Sequence, residues 1–225
     1  MKIKMILPAL ILSSAFGFAQ NTTIDLANFD ELKVYDQLSV KLVKSDKNQA
    51  VISGDDQDEV AIVNNDGLLK VRMEVDNALD GKTTDITLYY TDNLSLIDAN
   101  ENSKITSEDI INTKYLTVRA QEGGEITLKL DSRNLDSKAV TGGKIMVDGS
   151  ATNQEITVRT GGHFAGKGLK TETTDVTILA GGTAFISASD YVDASVTAGG
   201  TVEIFGNPEK ILEDKTFGGS IIVRK

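Results

Sequence analysis

His163 is the only histidine in the 225 residues, and there is no cysteine. These two facts exclude thiolate zinc sites, multi-histidine metal sites, disulfides, a cysteine nucleophile and a lipid-anchored N-terminal cysteine. A histidine-based triad needs a nucleophile and an orienting carboxylate, and neither is signalled beside His163. The ring falls in a column with Glu125, Lys144, Thr183, Thr201 and Ser220, all of which read as outward-facing, so an exposed and idle imidazole is expected. Asp55, Asp56, Asp58 and Glu59 form an acidic run of the kind that attracts calcium. The run lacks the central glycine and twelfth-position glutamate of an EF-hand loop, and the Gly-Gly-x-Gly-x-Asp repeat of calcium-binding β-rolls. It reads as a solvated turn, with a weak cation site as the lesser alternative. Paired glycines can cradle phosphate, but here no helix follows them and no Lys-Ser/Thr closes the motif. Polysaccharide lyases and hydrolases group carboxylates in a groove. Glu122, Glu125 and Asp131, followed by Lys138, Lys144 and Asp148, read more simply as opposite charges facing each other on the surface. The residues therefore predict no catalytic, cofactor-binding or metal-ligating set.

The elements that carry these residues are set by glycine. Sixteen of the 20 glycines lie after residue 120, mostly as the pairs Gly123-Gly124, Gly142-Gly143, Gly161-Gly162, Gly181-Gly182, Gly199-Gly200 and Gly218-Gly219. Their first members are 19, 19, 20, 18 and 19 residues apart, which marks an internal repeat. Asn102-Ser103, 21 residues before the first pair, reads as a degenerate copy. Three positions after each first glycine stand Ile126, Ile145, Phe164, Ala184, Val202 and Ile221. Before the pairs stand Val118 and Ala120, Ile156 and Val158, Val176 and Ile178, with polar residues at the alternate positions. Arg119, Lys138, Thr157, Thr177, Ser195 and Asp214 share one such polar column, too mixed for the uniform threonine face of an ice-binding solenoid. Inward columns renewed every coil predict an all-β, single-stranded β-helix with coils of about 19 residues. Right-handed winding is assumed by analogy with most β-helices. A propeller blade would need about 40 residues.

Residues 20–93 lack the glycine pairs. Val34, Leu38, Val40 and Leu42 alternate with polar residues, as do Leu69, Val71 and Met73, and Ile86, Leu88 and Tyr90. These are antiparallel-like strands or irregular first coils. They predict an N-terminal β cap (20–93) packed on a repeat body (94–225), since an open coil edge invites pairing with other chains. Residues 1–19 read as a signal peptide: Lys2 and Lys4, an apolar Met5 to Ala15, then Gly17 and Ala19 at −3 and −1. The apolar run is too short to span a bilayer, and no later segment is apolar enough, so the mature chain is expected to be exported and soluble. Losing Lys2 and Lys4 takes the net charge from −10 to −12, which disfavours nucleic acid and anionic lipid as partners.

The segment VTAGGTVEIFGNPEKILEDKTFGGSIIVRK (196–225) resembles the C-terminal signature of the "putative auto-transporter adhesin, head GIN domain" family, a domain of unknown function. The opening FDELKVYDQLSVKLVKSDKNQAVISGDDQ (29–57) is similar to that family's start, and the resemblance covers about residues 26–225. It implies a β-helical exported protein of Bacteroidota-type bacteria, and brings no catalytic or binding residues with it. The expected function is non-enzymatic: binding, adhesion or scaffolding at the cell envelope or surface, in the periplasm or outside the cell. The partner would be an envelope protein or a polysaccharide. The alternative is a carbohydrate-active enzyme, a lyase or hydrolase, on a β-helix. The outward column from Glu125 to Ser220 is the face first expected to bind.

Overall fold

A computed structural model describes residues 21–54, 56–74 and 84–224; the segment 1–19 expected to be a signal peptide and Asp55 lie outside the described residues. In chain order the strands are β1 (Thr22–Asp25), β2 (Glu31–Val34), β3 (Ser39–Lys44), β4 (Gln49–Gly54), β5 (Val60–Asn65), β6 (Leu68–Met73), β7 (Thr84–Tyr90) and β8 (Leu96–Ala99). The repeat body follows with β9 (Lys104–Ala120), β10 (Glu125–Val140), β11 (Lys144–Arg159), β12 (His163–Leu179) and β13 (Thr183–Thr197). It ends with β14 (Thr201–Phe205), β15 (Lys210–Thr216) and β16 (Ser220–Val223). One short 3-10 turn spans Gln57–Glu59.

The strands build a β-solenoid of about 7 turns with coils of about 19 residues. Glu125 pairs with Lys144, Lys144 with His163, His163 with Thr183, Thr183 with Thr201 and Thr201 with Ser220, all in parallel. Glu125 pairs with Lys104 on its other side, so Asn102-Ser103 does occupy a corner equivalent to Gly123-Gly124. Each coil has two sides. In β10 the buried positions are Ile126, Leu128, Leu130 and Ser132, then Leu135, Ser137 and Ala139. Side chains on a strand alternate strictly, so this change of parity around residues 133–134 marks a second bend opposite the glycine corner. The result is two mainly parallel sheets set face to face with a thin core between them. One sheet runs β1-β4-β7-β3, the first half of β9, and on through β13 to β14 and β16. The other runs β5-β6-β2-β8, the second halves of β9 to β13, and β15.

The glycine corners are tight turns with two left-handed residues at the first three and a third, the second glycine, at Gly182, Gly200 and Gly219. Glu122 and Gly123 have φ of 51° and 78°, Thr141 and Gly142 48° and 76°, Thr160 and Gly161 49° and 75°. Such pairs define type I′ turns, which are closed here by Gly143 N–H donating to Val140 O (2.9 Å). The two glycines of a pair serve different ends. A Cβ on Gly142 would meet nothing within 4 Å, so that position needs glycine only for its φ. A Cβ on Gly143 would lie 2.0 Å from Ala120 O on the preceding coil, so that position needs glycine for space.

The N-terminal strands contribute coils to the stack. β2 pairs in parallel with both β6 and β8, and β3 with both β7 and β9. The 31–44 coil therefore sits inside the stack, between the later strands β6 and β7 on one side and β8 and the start of β9 on the other. Outside it, β4 and β5 run antiparallel to β7 and β6, and β1 antiparallel to β4, so this end finishes in antiparallel strands.

Candidate functional site

The outward column expected to bind is present and largely self-engaged. Lys144 Nζ donates to Glu125 Oε1 at 2.6 Å, as opposite charges on adjacent coils should. His163 differs from the expectation of an idle, exposed ring. It is half-buried, hydrogen-bonded through Nδ1 to the Thr183 hydroxyl, and set edge-on against Phe185 at 5.4 Å between ring centres. Burial, helped by the Lys144 charge, holds its pKa below the ordinary imidazole value. The large neighbour two positions along the next strand is what covers the ring, a contact hidden in a column of single residues. The acidic run also departs from a solvated turn: Asp56 is buried at 6 % exposure, at the start of the 3-10 turn, while Asp58 is exposed. Among the described residues, no three carboxylates or imidazoles group to hold a metal ion. Glu122 sits on a corner, and Lys138 in the outward column with Arg119 and Thr157.

Asp98 is a buried carboxylate. It accepts from Asn100 Nδ2 and Gln121 Nε2, both at 3.1 Å, with Lys33 Nζ 3.8 Å away. Asn100 follows it at the corner of the same coil, Gln121 stands at the corner of the next, and Lys33 is its partner across the β2–β8 ladder, so Asp98 ties three neighbouring coils together.

Concavity appears at the second bend. A trough of about 550 Å³ runs along the stack where the two sheets meet. One wall is the in-register row Asp131, Ser150, Lys170 and Ser187. The floor contains Ser132 and Thr171, each 5 % exposed, and Gly206 closes one end. Thr152, Glu172 and Ser189 form the other wall. Ser150 Oγ donates to Asp131 Oδ1 at 2.9 Å, and Thr171 Oγ1 donates to Ser187 O at 2.9 Å. Asp131, one of the carboxylates considered from sequence, is thus in the trough; Asp148 lines a smaller hollow that shares Asp131 and Ser150 with it, together with Ile110 and Asn112. The register explains why the trough forms here. β12 carries extra residues between Ala165 and Lys170 relative to β13, and β13 one between Ala188 and Tyr191 relative to β12. Coils of unequal length are reconciled at this bend, so it is irregular and recessed while the glycine corner stays uniform.

Beyond the trough the second sheet presents two outward rows. Tyr115, Asn134, Asn153, Thr173 and Tyr191 form one, with Asn153 Nδ2 donating to Asn134 Oδ1 (3.0 Å) and Thr173 Oγ1 to Asn153 Oδ1 (2.9 Å). Asp136, Glu155, Asp175 and Asp193 form the next, a carboxylate on four successive coils. Burial, and then the Asp193 charge, hold the Asp175 carboxyl above the usual carboxylate range. Neither the trough nor the acidic row is visible as a motif, because the acidic row takes one residue per 18–20 and the trough wall one per 17–20.

No helix among the described residues is long and apolar enough to cross a membrane. A search of curated proteins finds no match. Among solved structures the fold resembles a "putative adhesin" from Bacteroides fragilis (TM-score 0.81, 18% identity, covering 91% of this chain and 96% of that one). It also resembles a "putative lipid binding protein" from Parabacteroides distasonis (0.72, 15%, 92% and 96%) and a "putative adhesin" from Parabacteroides merdae (0.68, 15%, 92% and 96%). At these identities the likeness speaks for the fold. The family model described as "putative auto-transporter adhesin, head GIN domain" matches residues 28–208, somewhat less at the C-terminus than the sequence resemblance implied, and the chain belongs to that family.

Proposed function

We propose that the protein is exported, loses residues 1–19, and works as a non-enzymatic, adhesin-like module at the cell envelope or surface, binding another molecule along the side of its coil stack. The observation that carries this reading is the trough, which crosses five successive coils of a rigid all-strand body. The family and the neighbouring structures described as adhesins support it. An extended recess gives many modest contacts in register, which suits recognition of an extended partner. The test is to purify the exported protein, read its N-terminus, and measure its retention on the envelope fraction of the producing cells. A terminus at Gln20 and saturable retention are expected. A retained Met1 terminus or no retention would overturn the reading.

The carbohydrate-active alternative keeps one observation in its favour: Asp131 and Glu172 both line the trough. They stand two coils apart, about 10 Å along the stack. Inverting pairs lie about 6.5–9.5 Å apart and retaining pairs about 5–5.5 Å. Polysaccharide turnover that disappears in Asp131→Asn would decide for the enzyme.

A further inference from the structure

We infer that the trough holds a neutral glycan strand lying along the solenoid axis. This rests on the adhesin-like reading and names the ligand class for it. The first argument is shape. From Asp131 to Gly206 the lining residues sit on five successive coils, a run of about 19 Å at about 4.8 Å per coil. A recess that repeats its polar groups at every coil matches a polymer with regularly spaced hydroxyls better than a compact ligand.

The second argument is chemistry. Hydroxyls both donate and accept, and Ser150, Thr152, Ser187 and Ser189 offer them along the walls. Asp131 and Glu172 accept from sugar hydroxyls, and Lys170 donates to them. An acyl chain laid here would remove those charges from water without partners, at a cost of several kcal/mol. A peptide strand would need an open sheet edge, but the wall backbone at Asp131, Ser150 and Lys170 is already in the parallel ladder.

The third argument is charge. The carboxylate row Asp136, Glu155, Asp175 and Asp193 lies on the sheet beside the trough, and the whole chain carries −10. That field repels uronates, sulfated sugars and phosphate polymers, which leaves uncharged glycans. At one end the trough shares Asp131 with the hollow lined by Asn112 and Ile110, and Tyr115 on the same strand as these two is 65 % exposed. A tyrosine ring with an apolar face and a polar edge suits the C–H face of a sugar. Tyr191, at the other end of its row, is covered by Lys210 Nζ at 5.5 Å from the ring centre, so the aromatic platform is at the Tyr115 end alone.

The experiment is native affinity electrophoresis of the mature chain through gels containing a soluble β-glucan, an α-mannan, a xyloglucan or a galactan. Polygalacturonate gels and phosphatidylcholine vesicles are run in parallel, and retention on the envelope fraction is measured for every variant. Ser150→Arg fills the trough from an exposed position; Lys170→Ala and Glu172→Gln remove contacts without adding volume; Ser220→Arg, on the glycine-corner column, is the control. At least one neutral polysaccharide should retard the native protein and Ser220→Arg equally. The dissociation constant should rise at least tenfold in Ser150→Arg and about three- to tenfold in Lys170→Ala and Glu172→Gln. Polygalacturonate should not retard. Absence of retardation by every neutral glycan, or retardation unchanged in all three trough variants, overturns the inference. Vesicle binding that Ser150→Arg abolishes also overturns it, in favour of lipid. Envelope retention that survives in the trough variants removes the glycan trough and leaves the adhesin-like reading standing; no retention of the native protein removes both.

Discussion

Alanine substitutions at Gly142 and Gly143 separate the two demands a corner makes on its glycines. At Gly142 φ is 76° and a Cβ meets nothing within 4 Å, so Gly142→Ala carries only the left-handed penalty of about 1–2 kcal/mol. Gly143 has no such φ, so backbone conformation alone would rank it the milder site. The close approach reverses that order. A Cβ there would lie 2.0 Å from Ala120 O and 2.4 Å from Ala120 C, both backbone atoms that cannot swing aside. Reaching ordinary contact near 3.4 Å moves one coil by more than 1 Å against its neighbour. Three hydrogen bonds at this corner are each 2.9 Å long: Gly143 N to Val140 O, Lys144 N to Gly124 O, and His163 N to Gly143 O. A shift of that size takes them beyond useful length, at about 1 kcal/mol each, so Gly143→Ala should lose about 3 kcal/mol or more. Urea unfolding followed by far-UV circular dichroism measures both variants. A loss in Gly143→Ala equal to or smaller than that in Gly142→Ala would refute the assignment of roles.

Gly142→Asn should be nearly neutral in the same assay, because Asn102 holds the equivalent place with φ of 57°. Gln154→Leu should leave stability unchanged or raise it by about 1 kcal/mol, since Gln154 is buried in a column with Leu135 and its Nε2 has no partner among the described residues; a loss above 1 kcal/mol would contradict this. Asp175→Asn should stabilise at neutral pH and not at pH 3. A carboxyl raised in the folded state binds its proton more tightly there, so the native protein loses stability as pH climbs through the window above about 3.9; urea midpoints at the two pH values check the sign. By NMR, His163 should titrate below about 6.5, and Lys144→Ala should raise its midpoint. The depressed value means that stability tied to the neutral ring is present above about 6.5 and is lost as pH falls towards the folded midpoint; a midpoint at or above 6.5 contradicts the burial of the ring.

The parts of the fold legible in the sequence are those where every coil needs the same residue. Gly143, Gly162 and Gly124 must each clear a backbone carbonyl of the coil before, so the pair recurs and can be counted. Ile126, Ile145 and Phe164 stack in one thin core, so the column is apolar throughout. The second bend makes no such uniform demand. Coil-length differences are absorbed by register shifts in the strand halves that lead into it, at 127/129, 146/149 and 165/170, which scramble any repeat across it. The left-handed residue before each first glycine was hidden for another reason: Glu122, Thr141, Thr160 and Ala180 share a conformation and no chemistry. The coil inserted at 31–44 was hidden because parallel stacking out of chain order leaves no mark on local alternation. The trough therefore emerges only when distant residues are brought into one row.

Amide chemical-shift mapping of the mature chain, titrated with the neutral glycan that retards it most, tests most directly whether the trough is the binding surface. The account predicts changes confined to residues 131–133, 150–152, 170–172 and 187–189, extending towards Tyr115, with the column from Glu125 to Ser220 unmoved. Shifts centred on the glycine corners or on the acidic row, with the trough silent, would contradict it.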